Sequence, residues 1–334
     1  MVSGGWVLRL ASAIALFITG FSVFGCGVAL SGGDRVLLLA AYSTPREAYA
    51  EVMDAFQRTE WGRGVEFEMS YGASGEQSRA VEAGLPADVV GFSLEPDMRR
   101  LVEAGVVAED WDGNEYRGMV TNSVVVLVVR RGNPEGIRGW EDLIRPGVDV
   151  ITPSPATSGG AKWNVLAAYG AQLARGGSEE EAAEYVRRLF ENVSVQDKSA
   201  RESLQTFVGG KGDVMIAYES EAIIAREMGY DVEYVVPEAT ILIENPYAVT
   251  ETGENPEKAR EFLEFLYSPE AQRIFGEEGY RPVVPEIRAE FDYPEPEKLF
   301  TIEDFGGWEA ADERFFDPED GIVTQILREA GGVR

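Results

Sequence analysis

The stretch Val148-Asp-Val-Ile-Thr-Pro-Ser-Pro-Ala-Thr-Ser-Gly-Gly-Ala-Lys-Trp-Asn164 joins a short apolar strand, Val148–Ile151, to a helical segment. Backbone N–H groups in the first turn of a helix have no acceptor inside the helix, so those of Ser158, Gly159 and Gly160 point outward. Such a turn is suited to binding an anion. The alternative is a tight strand-to-helix turn with a structural role only.

The charge of the chain opposes an anionic ligand. Its 334 residues include 58 Asp and Glu against 30 Lys and Arg, which gives a net charge of −28. No basic stripe is available to replace the counterions around phosphates, which argues against nucleic acid as a partner. The acidity itself is typical of a solvated surface, with halophilic adaptation as the alternative.

Residues 1–33 resemble an export signal followed by a short tether. Arg9 precedes an uncharged run over residues 10–24, and Gly25-Cys26-Gly27 follows. Cys26 is the expected first residue of the mature protein and the expected site of lipid attachment, which predicts an extracytoplasmic, membrane-anchored protein. A plain cleaved signal and a retained anchor are the alternatives. Because Cys26 is the single cysteine, no intrachain disulfide can form.

Short apolar runs alternate with helical patterns through the rest of the chain, which is typical of an α/β fold with a largely parallel sheet. The predicted strands are Val36–Ala41, Val65–Ser70, Ala87–Phe92, Ser123–Val129, Val148–Thr152, Asp213–Tyr218, Val232–Val236 and Ile241–Val249.

Four capping boxes mark predicted helix starts, at residues 44–47, 74–77, 178–181 and 199–202. The boxes at Thr44, Ser74 and Ser199, together with the Ser158-Gly-Gly turn, are expected at the carboxyl ends of sheet strands. Ligands of open α/β sheets bind at that edge. The sequence therefore predicts that several helix N-termini converge on one site.

Two long apolar strands are predicted to connect two lobes. They are Ser123–Val129 and Ile241–Val249, and both are flanked by turn residues. A chain that crosses to a second lobe and returns makes the first lobe discontinuous and leaves a cleft between the two. The expected division is residues 34–125 with 241–334 in lobe 1 and residues 126–240 in lobe 2.

The residue inventory gives little support to catalysis. The chain contains no histidine, and Cys26 belongs to the export segment, so Ser/His/Asp and Cys/His arrangements are excluded. The turn at Ser158 lacks both the spacing of a P-loop and the Ser or Thr after its lysine, Lys162. We therefore expect no catalytic residue, no metal and no cofactor, although a carboxylate pair in so acidic a chain stays open.

Several segments resemble the sulfate/thiosulfate-binding proteins of bacterial ABC importers, in the expected order and over nearly all of the mature chain. They are Ala40–Glu47 (AAYSTPRE), Tyr71–Gln77 (YGASGEQ), Ala87–Val90 (ADVV), Gly147–Pro153 (GVDVITP), Thr157–Asn164 (TSGGAKWN), Gly212–Glu219 (GDVMIAYE), Tyr267–Glu270 (YSPE) and Leu299–Trp308 (LFTIEDFGGW).

The resemblance implies a two-lobed periplasmic-binding-protein fold of type II, with a tetrahedral dianion held in the cleft between the lobes. It also implies a set of ligand contacts: the Ser43 backbone, the Ser74 and Ser158 hydroxyls, the amides of Gly159, Gly160 and Ala200, and the side chain of Tyr218. The family often has Asp at Ser43 and Trp at Tyr218. Both Tyr and Trp donate a hydrogen bond, but with different reach.

Two cations flank the proposed donors, and the sequence leaves their role open. Arg201 and Lys162 are expected either to support the ligand-binding residues from behind or to be exposed charges at helix starts.

The implied function is that of a binding protein, not an enzyme, which captures sulfate or thiosulfate and delivers it to a membrane permease powered by a separate ATPase. A site made of donors suits a fully ionised anion and disfavours protonated phosphate, whose O–H needs an acceptor. The alternatives are a binding protein for phosphate or molybdate and a secreted hydrolase of sulfate or phosphate esters.

Overall fold

Strands and helices alternate along residues 36–329, the part of the chain that the computed structural model describes. The strands are β1 Val36–Tyr42, β2 Glu66–Gly72, β3 Val89–Gly91, β4 Met119–Arg130, β5 Val150–Ile151, β6 Val193–Val195, β7 Val214–Tyr218, β8 Val232–Val235, β9 Ala239–Val249, β10 Arg281–Pro282 and β11 Lys298–Phe300. The helices are α1 Arg46–Arg58, α2 Ser74–Glu82, α3 Glu95–Glu103, α4 Gly159–Ala174, α5 Glu179–Glu191, α6 Ala200–Val208, α7 Glu219–Glu227, α8 Pro256–Leu266, α9 Pro269–Glu277, α10 Pro285–Arg288, α11 Gly307–Ala311 and α12 Ile322–Glu329.

The strands form one continuous mixed sheet in the order β2-β1-β3-β9-β4-β7-β5-β6, and β8 and β10 also pair with β4 while β11 pairs with β9. At one end of the path β1 runs parallel to both β2 and β3, and at the other end β5 runs parallel to both β6 and β7. The long strands β4 and β9 pair antiparallel in the middle.

The apolar run in β4 explains its place in the middle of the sheet. Val124 to Val129 are all buried, with 0–1% of each residue exposed. A strand that is covered on both faces needs a continuous apolar run, whereas a half-exposed strand would alternate with polar residues. The central strand therefore has neighbours on both sides and helices on both faces.

The parallel pairs bring the loops that carry the polar motifs to common edges. Because parallel neighbours end on the same side of a sheet, the loops after β1, β2 and β3 emerge together, and so do those after β5, β6 and β7. Helices α1, α2 and α3 follow the first group, and α4, α6 and α7 follow the second.

All eight predicted strands are present, with ends that differ by a few residues. Strands β6, β10 and β11 are missing from the prediction. Each has only two or three residues and, unlike the equally short β3 and β5, lies in a stretch of mixed polar and apolar residues. The omission of β6 matters, since this strand leads into α6 and so fixes where that helix starts.

The predicted helix caps have mixed outcomes. The box at Ser178 is confirmed: the Glu181 amide donates to Ser178 Oγ (3.2 Å) and the Ser178 amide donates to Glu181 Oε2 (2.8 Å). The box at Thr44 is wrong, because Pro45 occupies the cap position and α1 begins only at Arg46. At Ser199 only half of the box forms, since Ser199 Oγ caps α6 while the Glu202 carboxylate accepts from the Lys198 amide.

The segment after β10 packs against α4 through aromatic side chains. Strand β11 runs parallel to β9, and the indole of Trp308 packs edge-on against that of Trp163 with ring centroids 4.6 Å apart. Phe300 packs where Gly170 of α4 has no side chain. Because Trp163 lies in the first turns of α4, this packing fixes the position of the helix start.

Within residues 36–329 no helix is long and apolar enough to cross a membrane. The expected lobe boundaries stay a prediction, since β4 and β9 join both groups of strands in one path. Cys26 and the rest of the predicted export segment lie outside the described residues.

Candidate functional site

A small cavity lies where the loops at the strand ends meet. Its volume is about 10 Å³. The lining residues come from the loops after β1, β2 and β3, from the starts of α2, α4 and α6, and from the end of β7: Tyr42, Ser43, Thr44, Gly72, Ala73, Ser74, Ser93, Ser158, Gly159, Gly160, Ser199, Ala200 and Tyr218. The structure thus brings all seven sequence-predicted ligand residues to one cavity.

The start of α4 presents the glycine amides to this cavity. Ser158 is the N-cap residue, in extended conformation, and its Oγ accepts from the Ala161 amide at 3.4 Å. The amides of Gly159 and Gly160 occupy the first helical turn and have no acceptor within the helix. Among residues 36–329, Ser158 Oγ donates to no protein group, so its proton is available to a ligand.

Gly159 cannot carry a side chain in this arrangement. A Cβ there would lie 2.8 Å from both Ser93 Oγ and Leu94 Cδ2. At Gly160 the corresponding contacts are 3.5 Å to Ser158 Oγ and 3.6 Å to Ala200 Cβ, which is ordinary packing. The first glycine is therefore required by the close approach of the loop after β3, and the second is not.

The start of α6 adds a second set of donors. Ser199 caps the helix by accepting from the Glu202 amide at 3.2 Å, and Ala200 is the first helical residue. The Ala200 amide is thus also without an acceptor in its helix. The geometry at this helix start repeats that of α4.

Ser74 differs from these two serines. It is the first residue inside α2, not its cap, and the capping box predicted for it does not form. Its Oγ donates to Asp97 Oδ2 at 2.6 Å and accepts from the Ser93 amide at 3.0 Å. The hydroxyl of Ser74 is therefore held by the protein.

Tyr218 and Ser93 form a hydroxyl pair in the cavity wall. The two oxygens are 2.7 Å apart, and either can be the donor. One proton of the pair is used between them, which leaves one for a ligand. Burial raises the pKa of the Tyr218 phenol far above its ordinary value, so the group stays protonated.

The structure corrects the expectation for the Ser43 backbone. Ser43 lines the cavity, but its amide donates to Gly72 O at 3.0 Å, because strand pairing between β1 and β2 continues through this residue. The next amide, of Thr44, has no acceptor among the described residues.

No charged side chain is among the residues that line the cavity. Arg201 lies behind the wall, where its guanidinium donates to Thr44 O at 2.9 Å and pairs with Glu47. Lys162 turns away: it pairs with Asp312, lies over the Phe316 ring and lines a separate cavity of about 720 Å³. A supporting role fits the position of Arg201, whereas Lys162 is not brought to the small cavity.

Glu221 is buried behind the cavity, in the first turn of α7, with 1% of the residue exposed. Burial raises its pKa to about 7; the Arg201 charge, the Tyr218 amide and the Thr44 hydroxyl favour the ionised form but do not offset that effect. Neither carboxylate oxygen has a well-aligned hydrogen bond.

Sequence reasoning missed Ser93 and Asp97 as parts of this site, and it placed Thr44 and Ser199 at this edge of the sheet only as helix caps. Ser93 follows the predicted strand at 87–92 directly, so its place at the carboxyl edge of the sheet was a usable signal. Asp97 has no such signal, because it reaches Ser74 from another helix, 23 residues along the chain.

Comparison with known proteins agrees with this architecture. Residues 37–281 match the family model described as "Bacterial extracellular solute-binding protein". The chain belongs to this family. A protein of Synechococcus elongatus named "Sulfate-binding protein" is 38% identical, and the alignment covers 98% of this chain and 99% of that protein.

Two solved structures have the same fold. The sulfate-binding protein SubI from Mycobacterium tuberculosis H37Rv has a TM-score of 0.83 and 46% identity, covering 85% of this chain and all of that one. The periplasmic binding protein P5PA has a TM-score of 0.64 over 84% of this chain and 96% of its own, with 21% identity, and shows the fold alone. The predicted periplasmic-binding-protein fold is confirmed.

Proposed function

We propose that this chain is the extracytoplasmic binding component of an ABC importer and that it captures sulfate, with thiosulfate as a second ligand. One observation carries the proposal: the cavity is lined by neutral hydrogen-bond donors at the starts of helices, and no Asp, Glu, Lys or Arg lines it. The names of the cyanobacterial and mycobacterial relatives support the choice of sulfate.

Neutral donors suffice for a dianion in this setting. The first turns of α4 and α6 offer amides that carry partial positive charge in a fixed orientation, and they need no reorganisation when the anion arrives. The net charge of −28 is distributed over the molecule. Exposed carboxylates more than about 8 Å away are largely screened at physiological salt.

The same wall favours sulfate over phosphate. Hydrogen phosphate carries an O–H that must find an acceptor, and no carboxylate lines the cavity. A buried donor left without a partner costs about 1–3 kcal/mol, which is roughly a tenfold to hundredfold preference. Molybdate has no such proton, so size and geometry alone would separate it from sulfate.

We assign the ligand contacts as follows. Gly159, Gly160 and Ala200 donate through their amides, Ser158 donates through its hydroxyl, and Tyr218 donates together with Ser93. Ser74 contacts the ligand from the opposite wall. The contact expected from the Ser43 amide passes to the Thr44 amide.

The two-lobe division, residues 34–125 with 241–334 and residues 126–240, completes the proposal. Closure of the lobes would form a surface that spans both and that a permease with its separate ATPase recognises. The contacts of Arg201 with Glu47 and Thr44 join the two proposed lobes and would favour the closed form. Cys26 is proposed as the lipid attachment site that holds the protein at the outer face of the cytoplasmic membrane.

The rival function is hydrolysis of sulfate or phosphate esters, with the same donors stabilising a transition state. Such an enzyme needs an activated nucleophile, and the Ser74 hydroxyl on Asp97 is the nearest arrangement to one. Asp97 Oδ1 also accepts from Arg100 Nη1 at 3.1 Å, so both oxygens of this carboxylate already have protein partners. Turnover of aryl sulfates or aryl phosphates would support the rival.

Calorimetric titration of the full chain tests the proposal, with sulfate, thiosulfate, molybdate and phosphate as ligands. We expect sulfate to bind in the micromolar range or tighter and phosphate to bind at least tenfold more weakly. Sulfate affinity weaker than millimolar, or phosphate as the tightest ligand, would contradict it.

A further inference from the structure

A second, larger cavity lies beside the site described above. Its volume is about 720 Å³, within the range of about 300–1,000 Å³ that is typical of pockets for small organic ligands. Its walls come from α2 and α3, from the loop before α4 and the first turn of α4, and from the segment that follows α11. Of the described residues, none lines both cavities, so the second cavity is a separate place on the molecule.

Part of the wall of the second cavity is apolar. Val323 and Leu327 line it from α12, where a spacing of four residues puts both side chains on one face of the helix. Phe316 and Pro155 also line it. Because burial of apolar surface is a main favourable contribution to ligand binding, these residues favour a ligand with an apolar body.

Four cations line the same cavity, and two of them have carboxylate partners. Lys162 forms an ion pair with Asp312. Arg100 donates to Asp97 Oδ1 at 3.1 Å. The charges of these two cations are compensated by the protein itself.

The other two cations, Arg79 and Arg328, have no carboxylate partner. Arg328 donates only to the backbone oxygens of Pro318 and Glu319, at 2.6 and 2.9 Å. Arg79 is exposed on α2, and among residues 36–329 its guanidinium makes no hydrogen bond and no ion pair. A guanidinium presents its donors in a planar fork that matches a carboxylate. Arg79 is therefore able to bind an anionic group in the cavity.

The carboxylates of the cavity wall oppose an anion only weakly. Asp312 is paired with Lys162, and Asp317 Oδ1 accepts from the amides of Glu319 and Asp320, both at 2.8 Å. Glu313 is exposed and makes no ion pair within the described part of the chain. One free carboxylate thus stands against two cations without a carboxylate partner, which leaves room for one further negative charge.

We propose that this cavity is a second ligand site, for an organic anion that carries one carboxylate on an apolar body. The carboxylate binds Arg79, and the apolar body packs against Phe316, Val323 and Leu327. This site goes beyond the capture of sulfate and does not depend on it.

Titration of the full chain with 2-naphthoate tests the site, and 2-naphthamide serves as a neutral compound of nearly the same shape. We expect naphthoate to bind with a Kd of about 1 mM or tighter and the amide to bind at least about tenfold more weakly. Saturating sulfate should not displace naphthoate, because the two cavities share no residue.

Arg79→Gln should lower the affinity for naphthoate about tenfold or more, since hydrogen bonds between charged groups are the stronger ones. Arg63→Gln is the matched control, because Arg63 is also exposed and without an ion pair in the described chain but does not line the cavity. It should leave the affinity within about twofold. Glu313→Gln removes the free carboxylate and should strengthen naphthoate binding.

Thr324→Trp tests the volume of the site without changing its charge. Thr324 lines the cavity from α12, so an indole there should fill it and abolish naphthoate binding. Naphthoate that binds more weakly than about 1 mM, an amide that binds equally well, or displacement by sulfate would overturn the inference. So would equal losses in Arg79→Gln and Arg63→Gln, or unchanged binding in Thr324→Trp. A chain that binds naphthoate but not sulfate would refute the proposed function and leave this inference standing.

Discussion

Ser158 and Ser74 line the same cavity at the starts of two helices, yet their hydroxyls have different hydrogen-bond partners. Ser158 stands one residue before α4, accepts from the Ala161 amide and keeps its proton for a ligand. Ser74 stands one residue inside α2 and gives its proton to Asp97. The two serines therefore differ in their partners: the proton of Ser74 is held by Asp97, whereas that of Ser158 has no acceptor among residues 36–329.

Among single substitutions, we expect the largest loss of sulfate affinity at Gly159, where the loop after β3 closely approaches α4. In Gly159→Ala the added methyl would overlap Ser93 and Leu94, and overpacking of this kind costs about 1–3 kcal/mol. Because the displaced Ser93 also holds Tyr218, we expect sulfate affinity to fall roughly a hundredfold or more, equal to about 2.7 kcal/mol. Isothermal titration calorimetry with sulfate measures this loss of affinity.

Gly160→Ala is the matched control, with the same change at the next residue. Its methyl would meet neighbours at ordinary distances of 3.5 Å and more, and the amide stays in place. We expect a loss of less than about tenfold. Equal losses in both variants would contradict the assigned packing.

Removal of each serine hydroxyl tests the comparison itself. Ser158→Ala loses a free donor and should weaken sulfate binding about tenfold to hundredfold, or about 1.5–3 kcal/mol for a hydrogen bond to a charged group. Ser74→Ala loses a hydroxyl whose proton is already held and should change affinity less than about fivefold. A larger loss in Ser74→Ala than in Ser158→Ala would reverse our assignment.

The buried Glu221 predicts a pH dependence of stability. Its pKa of about 7 in the folded protein exceeds the ordinary 4.5, so between these values the folded state binds more protons than the unfolded state. Stability is therefore highest at the acid end of this window and falls as pH rises through 7, by about 1.4 kcal/mol between pH 6 and pH 8. Denaturant unfolding at several pH values measures the fall.

Glu221→Gln should remove the part of the fall that Glu221 contributes to the pH profile. Glu278, whose pKa is also raised to about 7, by burial and by neighbouring carboxylates, contributes in the same window, so Glu278→Gln is measured beside it. If Glu221→Gln leaves the profile unchanged, Glu221 is ionised in the folded protein near neutral pH.

The smallest loss of sulfate affinity is expected at Tyr218 and Ser93, because either hydroxyl of this pair can donate to the ligand. In Tyr218→Phe the hydroxyl of Ser93 can donate to the ligand, and in Ser93→Ala the phenol of Tyr218 can do so. Each variant should lose less than about fivefold in sulfate affinity, but the double variant should lose more than the product of the two. Multiplicative losses would mean that the pair does not share a proton.

The sequence predicts which residues line the cavity better than it predicts the hydrogen bonds among them. Eight strands and the residues at their carboxyl ends follow from apolar runs and capping residues, which are local signals. The engaged Ser43 amide, the Ser74–Asp97 contact and the Tyr218–Ser93 pair depend on which strand or helix lies opposite. Those contacts join residues between 23 and 125 positions apart, and no local pattern specifies them.

A crystal structure of the full chain with bound sulfate tests the central claim most directly. We predict that sulfate oxygens lie within hydrogen-bonding distance of the Gly159, Gly160 and Ala200 amides and of Ser158 Oγ, and that no Lys, Arg, Asp or Glu side chain touches the anion. Sulfate held by a guanidinium or ammonium group, or bound outside this cavity, would contradict a site built from neutral donors.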